Sequence, residues 1–211
     1  MISVENERDA MAALEEMDEM GVNAAVIYLG NFGPEGPTTI FAERFGGPVM
    51  FCAAAEESKK VLASDRGDAL CGLLNASYNL KLRKLPAYIP QYPVAMPAEI
   101  AEMVKDFVSL SRVLIGLSSL KVLAFGPRPQ DFFACNAPIS PLYDIGVEVM
   151  ENSELDLLQL YTGAKGAKKE IEAIAKDMAT ELGAGGNCYP DLLPKLAQFE
   201  YALTKFMEDN L

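Results

Sequence analysis

The side chains that could move protons in this 211-residue chain are carboxylates, lysines, tyrosines and cysteines, because it contains no histidine. That excludes a Ser-His-Asp or Cys-His site and any imidazole-ligated metal formed by this chain alone. Acid–base chemistry would fall to carboxylate, Lys, Tyr or Cys groups. Glu56 and Glu57 follow a strand end, as metal or general-base carboxylates do; an exposed acidic pair is equally a solvated turn. Cys52, Cys71, Cys135 and Cys188 are far apart and form no CxxC pair, so they read as free buried thiols rather than a disulfide framework.

The densest cluster of chemically useful types is Lys121 to Asn136. It opens with the apolar run Val122–Phe125, of strand length, and breaks at Gly126-Pro127-Arg128-Pro129. Gln130, Asp131 and two phenylalanines follow, where a helix is expected to begin with Asp131 near its first turn. A strand, a Gly/Pro loop and a helix start form the ligand rim of many α/β proteins, since strand carboxyl ends and helix N-termini converge there. An ordinary βα connection has the same composition.

The elements that must position these residues alternate. A helix is expected over 5–20, from apolar residues at three- and four-residue steps, with Gly21 at its end. Ala24–Leu29 is a continuous apolar run, the pattern of a parallel strand buried on both faces. The loop 30–36 leads to a helix over Thr38–Phe45, and Val49–Ala53 is a second strand. A helix is predicted from about Ala69 to Leu82 and a short strand at Ala87–Ile89. Pro90 to Pro97 reads as a loop. A long helix, Ala98–Leu117, presents Ile100, Met103, Val104, Phe107, Val108, Leu110, Val113, Leu114 and Leu117 on its apolar side. Further on come a helix over Pro138–Tyr143, a strand Val147–Met150, and a capped helix start at Asn152-Ser153-Glu154. Two more amphipathic helices, Lys168–Leu182 and Leu192–Met207, flank a glycine-rich connection. The fold class is therefore α/β, as two incomplete Rossmann- or flavodoxin-like units with mainly parallel sheets, residues 1–118 and 119–211. The second has only two clear strands, few for a sheet.

Bulk properties narrow the function classes. Half of the residues are hydrophobic and 23% are charged, ordinary for a globular protein. The net charge of -12 argues against nucleic acid as a partner, since that binding rests on Lys and Arg neutralising phosphates. No apolar run reaches the roughly 18 residues of a membrane span, and the acidic N-terminus is no secretory signal. A cytoplasmic location and no membrane contact are expected. Neither GxGxxG nor GxxxxGK(S/T) occurs, which counts against a nucleotide-binding flavodoxin-like enzyme.

Taken together, the motifs resemble the L-fucose/L-arabinose isomerase family, most closely its fucose-isomerase-like members. The match is carried by Val26-Ile-Tyr-Leu-Gly-Asn-Phe-Gly-Pro-Glu35, Gly47-Pro-Val-Met-Phe-Cys-Ala-Ala-Ala-Glu-Glu57 and Leu73-Leu-Asn-Ala-Ser-Tyr-Asn79. It continues through Phe125-Gly-Pro-Arg-Pro-Gln-Asp-Phe132 with Asn136, Leu142 to Glu148, Asn152 to Leu157, and Tyr189-Pro190. The resemblance implies aldose–ketose isomerisation through an ene-diol, with manganese or another divalent metal held by acidic residues and a histidine. It implies a longer protein of three domains, of which this chain covers the first, lacking its opening strand, and part of the second. The metal and catalytic residues then lie beyond Leu211, so none is assigned here, and the chain alone is expected to be inactive. A homo-oligomer acting on a sugar is implied, the first domain leaning over a neighbouring subunit's active site.

On this basis Phe32, Asn79, Arg128 and Asp131 are the candidate substrate contacts. The arabinose isomerases carry Gln and His in the stretch where this chain has Ala76 and Asn79, which leaves the sugar open. Each has a structural alternative: Phe32 capping a core, Asn79 as a helix-surface amide, Arg128 and Asp131 paired to hold their loop. The rival reading is a stand-alone non-catalytic module that binds a sugar or assembles with another subunit.

Overall fold

The computed structural model describes residues 2–56, 67–126, 131–135, 138–186 and 189–210. They form two compact units, Met1–Leu117 and Ser118–Leu211. The fold is α/β with small parallel sheets.

In the first unit the elements run α1 (Glu7–Glu19), β1 (Ala25–Leu29), α2 (Glu35–Phe45), β2 (Val49–Ala54), α3 (Ala69–Arg83), β3 (Val94–Ala95) and α4 (Pro97–Ser118). The strands are parallel in the order β1-β2-β3, with Ala25 opposite Val49 and Ala53 opposite Val94. Successive side chains of a strand point to opposite faces, and β2 uses both. Val49, Phe51 and Ala53 pack on Ala69, Leu73, Ala76 and Leu80 of α3. Met50 and Cys52 pack with Ile100 and Phe107 of α4. A third cluster, Ala10, Ala13, Ala25 and Phe41, joins α1 and α2 to β1.

Four expectations are corrected here. β1 is not buried on both faces: Val26 is 38% and Tyr28 46% exposed. The apolar run is the same kind as in β2, but among the described residues β1 has a neighbouring strand on one side only. The proline-rich stretch 90–97 is not all loop. It contains β3, while Tyr88 makes a single bridge to Met50 in place of a strand. Pro93 lacks an N–H yet its carbonyl accepts from the Ala53 N–H at 2.8 Å, so proline flanks the pairing without ending it. Helix α2 starts at Glu35, earlier than expected, with Thr39 Oγ1 donating to the Glu35 carbonyl at 2.8 Å. On α4 the apolar side is divided: Ile100 and Phe107 are buried, whereas Val108, Leu110, Val113 and Leu114 are exposed.

The second unit holds β4 (Lys121–Phe125), α5 (Ser140–Asp144), β5 (Glu148–Asn152), α6 (Glu154–Gly163), α7 (Lys168–Gly186) and α8 (Leu193–Asn210). β4 and β5 pair in parallel, Lys121 opposite Glu148 through Phe125 opposite Asn152. Among its described residues few are buried: Val147, Leu193, Ala197 and Ala202. Ring contacts add to them, Phe125 with Phe206 at 5.8 Å and Tyr161 with Phe199 at 4.2 Å between centroids. Ser153 caps α6 as expected, its hydroxyl accepting from the Asp156 N–H at 3.2 Å while Asp156 accepts from the Ser153 N–H at 2.7 Å. The α-helix expected at Asp131 is absent. Asp131 is left-handed (φ 67°) and a 3-10 turn, Phe133–Cys135, follows. Among the described residues no helix is long and apolar enough to cross a membrane.

Candidate functional site

In the first unit a polar rim forms where β1 and β2 end. The backbone leaves β1 at Leu29 and turns through Gly30–Pro34, with Phe32 at the tip and 55% exposed. The Phe32 N–H donates to the Gly67 carbonyl, tying this loop to the entry of α3. Gly67 has to be glycine, because a Cβ there would lie 2.7 Å from the Gly30 carbonyl oxygen and 3.1 Å from Asn31 Cα. One turn into α3, a Cβ on Gly72 would meet the Asn31 carbonyl oxygen at 3.1 Å and Phe32 Cα at 3.6 Å. The loop thus seats directly on α3. Glu56 is occupied structurally: its Oε1 accepts from the Asp68 N–H at 3.0 Å. Glu57 lies outside the described residues. Phe32 also lines a cavity of about 1180 Å³ that runs along β1.

Asn79 is elsewhere on α3, seven residues beyond Gly72, or about 10 Å along the axis at 1.5 Å per residue. Its Nδ2 donates to Thr39 Oγ1 of α2 at 3.1 Å, and its Oδ1 accepts from Arg83 Nε at 3.1 Å. Arg83 in turn pairs with Glu43 at 2.9 Å. The structure therefore does not bring Phe32 and Asn79 together: one stands at the rim, the other joins two helices. Thr39, fully buried in this network, carried no signal in the sequence beyond its place among helix residues.

In the second unit the corresponding strand end is Gly126, left-handed at φ 78°, whose N–H donates to the Asn152 carbonyl at 2.8 Å. A Cβ there would stand 2.9 Å from Glu154 Cγ. Asp131 is exposed; Arg128 and Asn136 lie outside the described residues. A second cavity, of about 570 Å³, is lined by Asn152, Asp156, Gln159, Tyr201 and Lys205. Hydrogen bonds from Ser153 hold the Asp156 carboxyl below its usual range. Bonding and attraction from Asp209, then Glu208, raise the Lys205 ammonium, so both stay ionised at neutral pH.

The cysteines divide, correcting the expectation that all are buried. Cys52 is buried in the sheet, where desolvation pushes its thiol up to about 11, while Cys71 and Cys135 are exposed. Cys188 lies outside the described residues. No group of three or more His, Cys, Asp or Glu side chains able to hold a metal occurs among the described residues. Together with the absence of histidine, these described residues do not fit the acid-and-histidine donor set of the resemblance.

The comparisons bear on the same region. No curated protein matches the chain. The family described as fucose/sulfoquinovose isomerase, N-terminal domain, matches residues 2–118, a span that takes in the three-stranded sheet, the Phe32 loop and all of α4. With more than half of its length so matched, the chain belongs to the fucose/sulfoquinovose isomerase family.

Proposed function

We propose that this chain serves an aldose–ketose sugar isomerase, supplying substrate-side and subunit contacts while the divalent metal and catalytic acids come from outside it. The supporting observation is the family match over residues 2–118 in a chain without histidine. Within the first unit the sugar contact falls to Phe32, whose exposed ring offers an apolar face to sugar C–H groups. Asn79 already spends its amide on Thr39 and Arg83. Arg128 and Asp131 are the contacts proposed for the second unit, and the working assembly is a homo-oligomer in the cytoplasm.

The test is direct. The purified chain is incubated with manganese and L-fucose or L-arabinose, and ketose formation is followed by NMR. No ketose is expected. Metal-dependent turnover by the 211-residue chain would overturn the division of labour proposed here.

A further inference from the structure

Helix α3 carries two apolar faces. Ala69, Leu73, Ala76 and Leu80 are buried against β2. Leu70, Leu74, Tyr78 and Leu82 face outward, 52%, 61%, 65% and 62% exposed. Their regular spacing, each four residues from the next, makes them one ridge of the helix surface, about 18 Å long at 1.5 Å per residue. A solvated helix face ordinarily carries charged or amide side chains at such positions.

The charges at the two ends of this ridge select what covers it. Glu56 and Asp68 stand at the start of α3, the Glu56 carboxylate accepting from the Asp68 N–H at 3.0 Å. Lys81 and Lys84 are exposed at its end. A second copy of α3 laid antiparallel across the first sets the acidic end of each on the basic end of the other. A parallel copy sets like on like. The ridge also reads alike in both directions. A two-fold axis level with Ala76 puts Leu70 opposite Leu82, Leu74 opposite Tyr78, and Asp68 opposite Lys84. Ridges of four-residue spacing interdigitate at a crossing angle of about -50°, the commonest class of helix packing. The net charge of -12 opposes association at long range, but pairs in contact outlast that repulsion at physiological salt, where the Debye length is about 8 Å.

We infer that α3 is a self-association site, through which two copies of this chain pair antiparallel along Leu70, Leu74, Tyr78 and Leu82. Leu74 and Tyr78, at the centre of the contact, supply most of the affinity, and the end charges fix its direction. This inference does not rest on the isomerase reading, and its test needs neither metal nor sugar.

The experiment is sedimentation of the full chain over a range of concentrations. One helix pair buries less surface than a permanent dimer, so a Kd on the order of 10 µM is expected and the dilute chain is monomeric. Leu74→Glu weakens association about a hundredfold. Lys81→Glu combined with Lys84→Glu weakens it about tenfold. Both variants keep the unfolding midpoint of the dilute chain, because these side chains are exposed in the monomer. In a chain carrying Leu74→Cys and Tyr78→Cys together, oxidation joins position 74 of one copy to position 78 of the other. A chain still monomeric far above that Kd overturns the proposal, as does a dimer whose affinity Leu74→Glu leaves unchanged. So does a disulfide between the Cys71 thiols of two unaltered copies, which marks a parallel pair. In the antiparallel pair those thiols lie about 15 Å apart along the helix axis, beyond disulfide reach.

Discussion

Asn79 illustrates how one side chain is assigned at the residue scale. As a surface amide its loss would leave stability unchanged, but here it donates to a buried hydroxyl and accepts from a guanidinium. Removing it leaves Thr39 and Arg83 each short of a partner, and a net hydrogen bond is worth about 1 kcal/mol. Asn79→Ala is therefore expected to cost about 1–2 kcal/mol in urea unfolding; an unchanged midpoint would show the amide free for a ligand. The thiols offer a second check. Cys52 is neutral across the physiological range, so a disulfide reagent at pH 8 should modify Cys71 and Cys135 rapidly and Cys52 only on unfolding. The sign of its pH effect follows. Its folded pKa is raised from 9.0 to about 11, so its contribution to stability is complete below pH 9 and is lost as pH rises toward 11.

At the scale of elements, α6 shows local chemistry setting a boundary. The reciprocal bonds of Ser153 and Asp156 satisfy helix N–H groups that have no intrahelical partner. Ser153→Ala should destabilise the second unit by about 1 kcal/mol, read from thermal unfolding. Asp156 should then titrate closer to its ordinary value, because the hydroxyl bond that lowers it most is lost while the backbone N–H of residue 153 still donates to it. With the cap intact, the contribution of Asp156 is present above its ordinary pKa and fades as pH falls through the depressed folded value. The rim in the first unit depends on shape instead: Gly67 and Gly72 admit the Phe32 loop because neither carries a Cβ. Glycine in both places is visible in the sequence, but its purpose depends on a loop more than thirty residues earlier.

Across the molecule, burial is uneven, and hydrogen exchange should report it. Met50, Phe51, Cys52 and Ala53 are wholly buried between helices, whereas β4 is largely open. In the full chain the β2 amides should exchange slowest and those of β4 and β5 faster, since local opening follows buried contact. Equal protection in both sheets would show that the second unit is better packed than its few buried residues indicate. The sequence by itself determined the alternation of helices and strands, the apolar strand that becomes β2 and the cap of α6. Each is encoded in neighbouring residues through apolar runs, periodicity or an Asn-Ser-Glu start. It also excluded imidazole chemistry, which needs only a count. Tertiary structure alone decided that, among the described residues, β1 has a neighbouring strand on one side only, that Asn79 belongs to a helix–helix network, and that Tyr88 and Val94 share the edge of β2 around prolines. The reason is physical: an apolar run records that burial is favourable, but which face is covered depends on partners distant in the chain.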